Sequence, residues 1–255
     1  MSELEHYGVK GMRWGVRKKN DASTISARNE GVLSKADGSI TISKGASIQR
    51  LVRSNGESLP MKDMTYASIN DYDNAKYIKT IGGKGFFGGG RDQILSIKTV
   101  APIKAPSKEE ATRLFSELMI KDSAFRKQNT NILGASISDK EFAAMKANPT
   151  GRVATAWYDQ TNVKLTFDAS FDPDAPRIQA KVREHYVKNG YNALRDENDV
   201  NSKIAVSPII IFNPEKSLKV VSVTEITDEL RKANKAKLKQ YKTQGKDWLE
   251  KELYT

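Results

Sequence analysis

A short apolar run near the C-terminal end, Ile209 to Phe212, limits the fold more than any other feature of the chain. All four side chains are apolar, and Pro208 and Pro214 bound the run. An apolar run this short between two prolines is typical of a strand that is covered on both faces. The chain is therefore expected to contain a sheet with this strand in its interior.

Further strands are indicated by short segments in which apolar and polar residues alternate. The alternation is clearest at Ser39 to Ser43, where two isoleucines are separated by a threonine. The other predicted strands are Ser47 to Arg53, Met64 to Ile69, Gln93 to Lys98, Val163 to Phe167, Tyr191 to Leu194, Ala205 to Phe212 and Leu218 to Val223.

Helices are predicted by capping residues and by apolar side chains spaced three and four residues apart. Two capping boxes begin such segments, one formed by Ser107 and Glu110 and one by Ser138 and Glu141. The predicted helices are a short polar one at Asp71 to Lys79, one after each capping box, one from about Pro176 to Gly190, and one from Thr227.

Together these elements predict an α+β fold with mixed or antiparallel sheets and flanking helices, without an internal repeat. At 255 residues the chain is long enough for one large domain with tails. We expect this domain over residues 31–225. Residues 1–30 are expected to be a flexible docking peptide and linker, and residues 226–255 a basic C-terminal helix.

Residue types that are scarce exclude several kinds of chemistry. Cysteine is absent, which excludes disulfides, a thiolate nucleophile and a cysteine–zinc site. His6 and His185 are the two histidines, too few for a histidine-built metal site and unfavourable for a Ser-His-Asp triad. The acidic clusters at residues 168–174 and 196–199 lack the residue order of a calcium loop, so no metal site is predicted.

The net charge of +11 favours an anionic partner, and the basic residues are concentrated at the two ends of the chain. After Thr227, lysines recur every three or four residues, which aligns them in a stripe along one helix. Contact with DNA and simple solubility are both compatible with this stripe. No apolar run is long enough to span a membrane, so no membrane partner is expected. The lysines proposed for DNA are Lys232, Lys235, Lys239 and Lys242.

Residues 6–19 form a basic peptide with three glycines and several large side chains. The glycines disfavour a helix, and no neighbouring segment of this peptide could cover the large side chains. These features are typical of a docking peptide that becomes ordered on a partner, although a terminus without function is the alternative. The expected anchor residues are Tyr7, Met12, Arg13 and Trp14.

The order Tyr-Gly-Val-Lys-Gly-Met-Arg-Trp-Gly at residues 7–15 resembles an element at the ends of many tailed-bacteriophage proteins encoded near the head genes. The resemblance covers about the first eighteen residues and implies an address, not an activity. It implies phage head or portal proteins as partners of residues 6–19. It also implies a virion protein that is made in the cytoplasm of the bacterial host.

A second resemblance rests on short motifs spread over residues 40–223. The motifs are Arg50 on an early strand, Tyr66-Ala-Ser68 at the end of another, and Gly190-Tyr-Asn and Phe212-Asn-Pro around a late strand. Their order resembles the ADP-ribosyltransferase-like fold, in which the arginine holds NAD and the serine supports the nicotinamide side. The resemblance therefore implies NAD as the cofactor, bound by Arg50, Tyr66 and Ser68.

The same resemblance predicts weak catalysis, because Ser207 and Pro208 occupy the place of a glutamate that stabilises the ribose cation. Glu197 or Asp199 in the preceding loop is the expected substitute. We expect a virion- or head-associated structural or interaction protein with a degenerate ADP-ribosyltransferase-like domain. The alternatives are an active mono-ADP-ribosyltransferase or NAD hydrolase delivered to the host, and a DNA-binding packaging or ejection protein.

Overall fold

The structure is a computed structural model that describes residues 29–53, 63–82, 91–131, 133–165 and 173–254. Residues 6–19 lie outside these ranges, so the docking prediction for Tyr7, Met12, Arg13 and Trp14 stays a prediction. Asp168 and Asp172 of the first acidic cluster also lie outside the described residues.

Two antiparallel sheets make up the strand part of the described chain. The strands are β1 (Val32–Ser34), β2 (Ile40–Ile42), β3 (Ser47–Val52), β4 (Met64–Ser68), β5 (Gln93–Thr99), β6 (Ile103–Ala105), β7 (Ala193–Arg195), β8 (Pro208–Phe212) and β9 (Leu218–Glu225). The small sheet has the order β1-β2-β6, and the large sheet has the order β7-β8-β4-β3-β5-β9. All of these neighbouring strands pair in antiparallel fashion.

Helices flank the large sheet, as the α+β prediction requires. They are α1 (Asp71–Ile81), α2 (Lys108–Lys121), α3 (Ser123–Gln128), α4 (Asp139–Ala147), α5 (Arg152–Lys164), α6 (Ala175–Lys188), α7 (Glu197–Asn201), α8 (Pro214–Ser217), α9 (Asp228–Gln244) and α10 (Lys246–Leu253). The prediction of an α+β fold with antiparallel sheets and flanking helices is therefore confirmed.

Strand β8 lies between two hydrophobic cores, as its apolar sequence predicted. Ile210 and Phe212 pack in the core between the sheet and the helices α2, α5 and α6. Ile209 and Ile211 pack on the other side, in the core shared with the small sheet. All four side chains are almost completely buried, and each contributes about 1.5–3 kcal/mol of hydrophobic stabilisation.

The predicted capping residues begin their helices, with one difference in detail. Ser138 and Glu141 form the complete capping box at α4. Ser107 accepts the Glu110 N–H at the start of α2, but the Glu110 carboxylate binds the Arg113 guanidinium instead of returning to the cap. The ion pair with Arg113 one turn further along therefore takes the place of the second capping bond.

The predicted strand at Val163 to Phe167 is wrong over the residues that the structure describes. Val163 and Lys164 belong to α5, the helix Arg152–Lys164. The side chains that α5 buries include Ala154, Trp157 and Thr161, which recur at helical spacing. The alternation at the end of this segment is local, whereas the helical period extends over the whole segment and determines which face is buried.

The predicted helix from Thr227 begins as expected with Thr227 as the N-cap of α9, but α9 ends at Gln244 and Lys246 begins the separate helix α10. Leu238 and Tyr241 of α9 are buried in a third cluster with Ala75 of α1 and Leu253 of α10. The basic helix is therefore packed on α1. In the described part of the chain, no helix combines the length and the apolar character needed to cross a membrane.

Candidate functional site

The three residues predicted to bind a cofactor lie together in one cleft of about 300 Å³. Strands β3 and β4 are neighbours, and Gln49 pairs with Ser68, so that Arg50 of β3 lies next to the end of β4. Helix α1 and the α7 segment supply further polar groups. The polar residues that line the cleft include Arg50, Tyr66, Ser68, Tyr77, Arg91, Asp196, Asn198 and Asp199.

Two arginines supply the positive charge of the cleft. Arg50 projects from β3 and donates a hydrogen bond to the hydroxyl of Thr65 on the neighbouring strand. Arg91 lies just before β5, and its backbone pairs with Gly82 after α1. Both side chains line the cleft and are half-buried. Sequence reasoning missed Arg91, since a lone arginine beside a glycine-rich segment carries no motif.

The hydroxyls of Tyr66 and Ser68 are held by protein groups. Tyr66 donates to the carbonyl oxygen of Leu165 at 2.5 Å, and burial raises the pKa of its hydroxyl well above the usual value. Ser68 is 3% exposed and donates to the Gln49 carbonyl oxygen at 3.2 Å. Both residues line the cleft, and Tyr66 also packs against the core between the sheet and the helices.

Glu197, the residue predicted to substitute for the missing glutamate, lies outside the residues that line the cleft. Its side chain is 1% exposed and is paired with Arg195 at 2.7 Å and with Lys108 at 3.2 Å. A buried carboxylate held by two cations joins β7, α7 and α2 together. The structure therefore places Glu197 between neighbouring elements and outside the cleft.

Asp196 and Asp199 are the carboxylates that line the cleft. Asp196 caps α7 by accepting the backbone N–H groups of Asn198 and Asp199 at 3.1 and 3.3 Å. Burial, followed by the negative charge of Asp199, raises the pKa of Asp196 to about 7. Burial also raises the pKa of Asp199, although the hydroxyl of Tyr77 donates to this carboxylate and opposes the change.

Ser207 stands where the resemblance expects a glutamate, and its side chain is buried. Its hydroxyl shares a hydrogen bond of 3.0 Å with Ser34 of the small sheet. Its backbone N–H donates to the carboxylate of Asp73 at 2.7 Å, and the neighbouring N–H of Val206 donates to the same carboxylate. Ser207 therefore joins the two sheets and supplies no group to the cleft.

The four lysines proposed for DNA contact lie on α9 and are exposed. We call Lys232, Lys235, Lys239 and Lys242 the α9 stripe. The intervening Lys237 is different, because its ammonium pairs with Asp71 of α1 at 2.5 Å. The stripe keeps its charge at the surface, while Lys237 helps to join α9 to α1.

The fold and the cleft thus define an α+β protein with a candidate site for an anionic, polar ligand. A family model described as a family of unknown function, DUF7211, matches residues 1–21. The match covers the segment that contains the Tyr7 to Gly15 element and none of the α+β fold. No curated protein and no solved structure matches the chain.

Proposed function

We propose that this chain is a phage virion-associated protein whose α+β domain binds NAD in the cleft and turns it over slowly. The observation that carries the proposal is the meeting of Arg50 and Arg91 with Asp196 and Asp199 in one cleft. Guanidinium groups bind phosphate oxygens by paired hydrogen bonds, and carboxylates accept hydrogen bonds from ribose hydroxyls. A dinucleotide carries both groups.

The arrangement of strands supports the NAD proposal. β3 with Arg50, β4 with Ser68, and β8 with Pro208 at its start are consecutive in the large sheet, and Ser68 pairs with Pro208. Three of the segments that carry the ADP-ribosyltransferase resemblance are thus neighbours. The cleft volume of about 300 Å³ is at the lower end for ligand pockets and suits one nucleoside half of NAD.

Four residues of the cleft have a proposed role. Arg50 and Arg91 hold the pyrophosphate, and the Tyr66 ring packs against the flat base. When NAD reacts, the bond between nicotinamide and ribose C1′ breaks, nicotinamide leaves, and water adds to C1′ with loss of a proton. Asp199 stabilises the positive charge at C1′. Turnover is slow because Ser207 replaces the carboxylate at the start of β8.

The test is NAD titration of the full chain by calorimetry, together with nicotinamide release measured by mass spectrometry. Arg50→Ala is expected to weaken NAD binding about 10- to 100-fold, the worth of a charge-assisted hydrogen bond. Arg177→Ala is the matched control, because this arginine is 71% exposed on α6. Absence of NAD binding, or equal binding by the two variants, would overturn the proposal.

The virion placement rests on residues 6–19, whose sequence resembles an element of phage proteins, and the family whose model matches residues 1–21 is of unknown function. A segment shared as a separate unit fits a docking peptide for phage head or portal proteins. Mass spectrometry of purified virions is expected to detect the wild-type chain and to lose it when Met12 and Trp14 are replaced by alanine. Equal incorporation of both chains would refute docking through these residues.

A second candidate function, contact with DNA inside the virion, is favoured by the exposure of the α9 stripe. Exposed lysines along one helix face bind phosphates and release counterions. Because α9 buries Leu238 and Tyr241 against α1, removal of the helix would expose apolar surface. Substitution of the exposed lysines, with DNA binding as the readout, is therefore the appropriate test.

A further inference from the structure

We infer that DNA contact, if the second candidate function holds, occurs on a surface shared by α1 and α9 that binds the phosphate backbone of a duplex. We call this surface the lysine face. This inference rests on the proposed DNA contact and adds the α1 residues and the form of the nucleic acid. The lysine face consists of the α9 stripe with Lys76 and Lys79.

The α9 stripe has the spacing required to follow a backbone. Its first and last lysines, Lys232 and Lys242, are ten positions apart, which corresponds to about 15 Å along a helix. Within the described ranges, none of the four forms an ion pair, whereas Lys237 and Arg231 on the same helix are paired with Asp71 and Asp228. Binding to phosphates therefore requires no internal ion pair of the protein to break.

Helix α1 continues the positive surface beyond α9. Lys76 of α1 lies 5.6 Å from the centre of the Tyr72 ring, and its ammonium donates to the Lys203 carbonyl oxygen at 2.5 Å. The pKa of Lys76 is lowered mainly by burial and further by the charges of Lys79 and Lys242. Lys242 of α9 lines a small surface cavity together with Tyr72, the ring over which Lys76 lies, so the two helices contribute to one positive surface.

The aromatic residues next to the lysine face pack against one another, which argues against recognition of single strands. Tyr241 is 1% exposed. Its ring lies edge-on to Tyr72 at 5.7 Å and is stacked on Trp248 at 6.1 Å. Proteins that bind single strands use exposed aromatic rings to stack bases. A surface of exposed ammonium groups with internally packed rings suits the backbone of a duplex.

Helix α1 separates the lysine face from the cleft. Tyr77 and Ile81 of α1 line the cleft, while the Tyr72 ring contacts Tyr241 of α9 and the Lys76 ammonium lies over the Tyr72 ring. Residues spaced in this way lie on opposite faces of a helix. Substitutions on the lysine face are therefore expected to leave NAD binding unchanged, which allows the two sites to be tested separately.

The experiment measures fluorescence anisotropy of a labelled 20-base-pair duplex and of one of its strands with the full chain. Between 50 and 200 mM salt, duplex affinity is expected to fall about 10³-fold, as for about six phosphate contacts. We call the slope of log affinity against log salt concentration the salt slope. Replacing the α9 stripe by alanines is expected to reduce the size of this slope by about 3–4. The variant that combines Lys76→Gln with Lys79→Gln is expected to reduce it by about 1–2.

The matched control replaces four exposed lysines elsewhere, so that the net charge changes equally. These lysines are Lys127, Lys140, Lys188 and Lys216. The control is expected to retain most of the affinity, and circular dichroism checks that each variant is folded.

Each outcome has one meaning. If the chain binds neither the duplex nor the single strand, the DNA function itself is excluded. Lysine-dependent binding to anionic phosphatidylserine vesicles, without binding to DNA, excludes it as well. Tighter binding of the single strand than of the duplex would overturn the assignment of duplex binding to the lysine face. An unchanged salt slope in the variant that combines Lys76→Gln with Lys79→Gln would also overturn it. Either result would leave DNA contact in place. Equal losses in the stripe variant and the control would show net charge to be sufficient, and would also overturn the assignment.

Discussion

The cleft and the lysine face use charge in opposite ways. In the cleft, Asp196 and Asp199 are largely buried, and burial raises the pKa of both carboxylates. On the lysine face, the ammonium groups of the α9 stripe are exposed and form no ion pairs with described residues. The properties of a buried charge therefore depend on its neighbours in three dimensions, whereas an exposed charge is largely screened by solvent and acts nearly alone.

The largest expected effect is on the support of the cleft. Glu197→Ala leaves Arg195 and Lys108 without their shared carboxylate, and breaking a buried ion pair of this kind costs about 3–5 kcal/mol. We expect a fall of that size in the free energy of unfolding, measured with urea. Glu215→Ala, at an exposed position, serves as the control and is expected to change stability by less than about 0.5 kcal/mol. Similar losses of unfolding free energy in both variants would show that the buried Glu197 carboxylate stabilises the fold no more than the exposed Glu215 carboxylate does.

The second effect concerns chemistry in the cleft. Asp199→Asn keeps an oxygen that can accept the Tyr77 hydrogen bond but removes the negative charge. Nicotinamide release is expected to fall about 10²-fold, while NAD affinity changes little. Asp174→Asn, at a position 47% exposed, is the control. Unchanged release by Asp199→Asn would exclude Asp199 as the carboxylate that acts on ribose.

The third effect is a pH dependence confined to the cleft. Because the pKa of Asp196 is about 7 in the folded chain and near 3.8 when unfolded, the folded state holds the extra proton between these values. This contribution to stability is present below pH 4 and is lost as the pH rises towards 7. Urea titrations at pH 4.5 and 7.5 are expected to show a smaller loss for Asp196→Asn than for wild type. Identical pH slopes would mean that Asp196 is not the responsible group.

The smallest expected effects distinguish neighbouring lysines on α9. Lys239→Ala is expected to leave the free energy of unfolding unchanged and to reduce the salt slope of duplex binding by about 1. Lys237→Ala loses its half-exposed ion pair with Asp71, which costs less than about 1 kcal/mol. We expect its salt slope to change less than that of Lys239→Ala. Equal slopes would show that Lys237 also contacts phosphate.

Local features were predicted well where one element alone determines them. The N-caps Ser107 and Ser138 and the buried run of β8 were recognisable, because capping bonds and apolar runs involve residues close in sequence. The prediction failed at the end of α5, where a local alternation suggested a strand. A period read over five residues is weaker than one read over thirteen.

The candidate site was predictable in part. The motif order pointed to Arg50, Tyr66 and Ser68, and all three line one cleft. Among the acidic residues near 197, the sequence could not separate Glu197 from Asp199. The direction of each side chain depends on how α7 packs, and Glu197 is turned towards Arg195 and Lys108.

By itself, the sequence determined the α+β class, the interior position of Ile209 to Phe212 and the lysine spacing on α9. These properties follow from periodicity and composition, which act over a few turns or residues. The packing of the folded chain was needed to show that Arg91 and Asp199 share a cleft and that Lys76 and Lys242 both lie beside Tyr72. Those pairs are more than a hundred residues apart, and only the packing of distant segments brings their charges together.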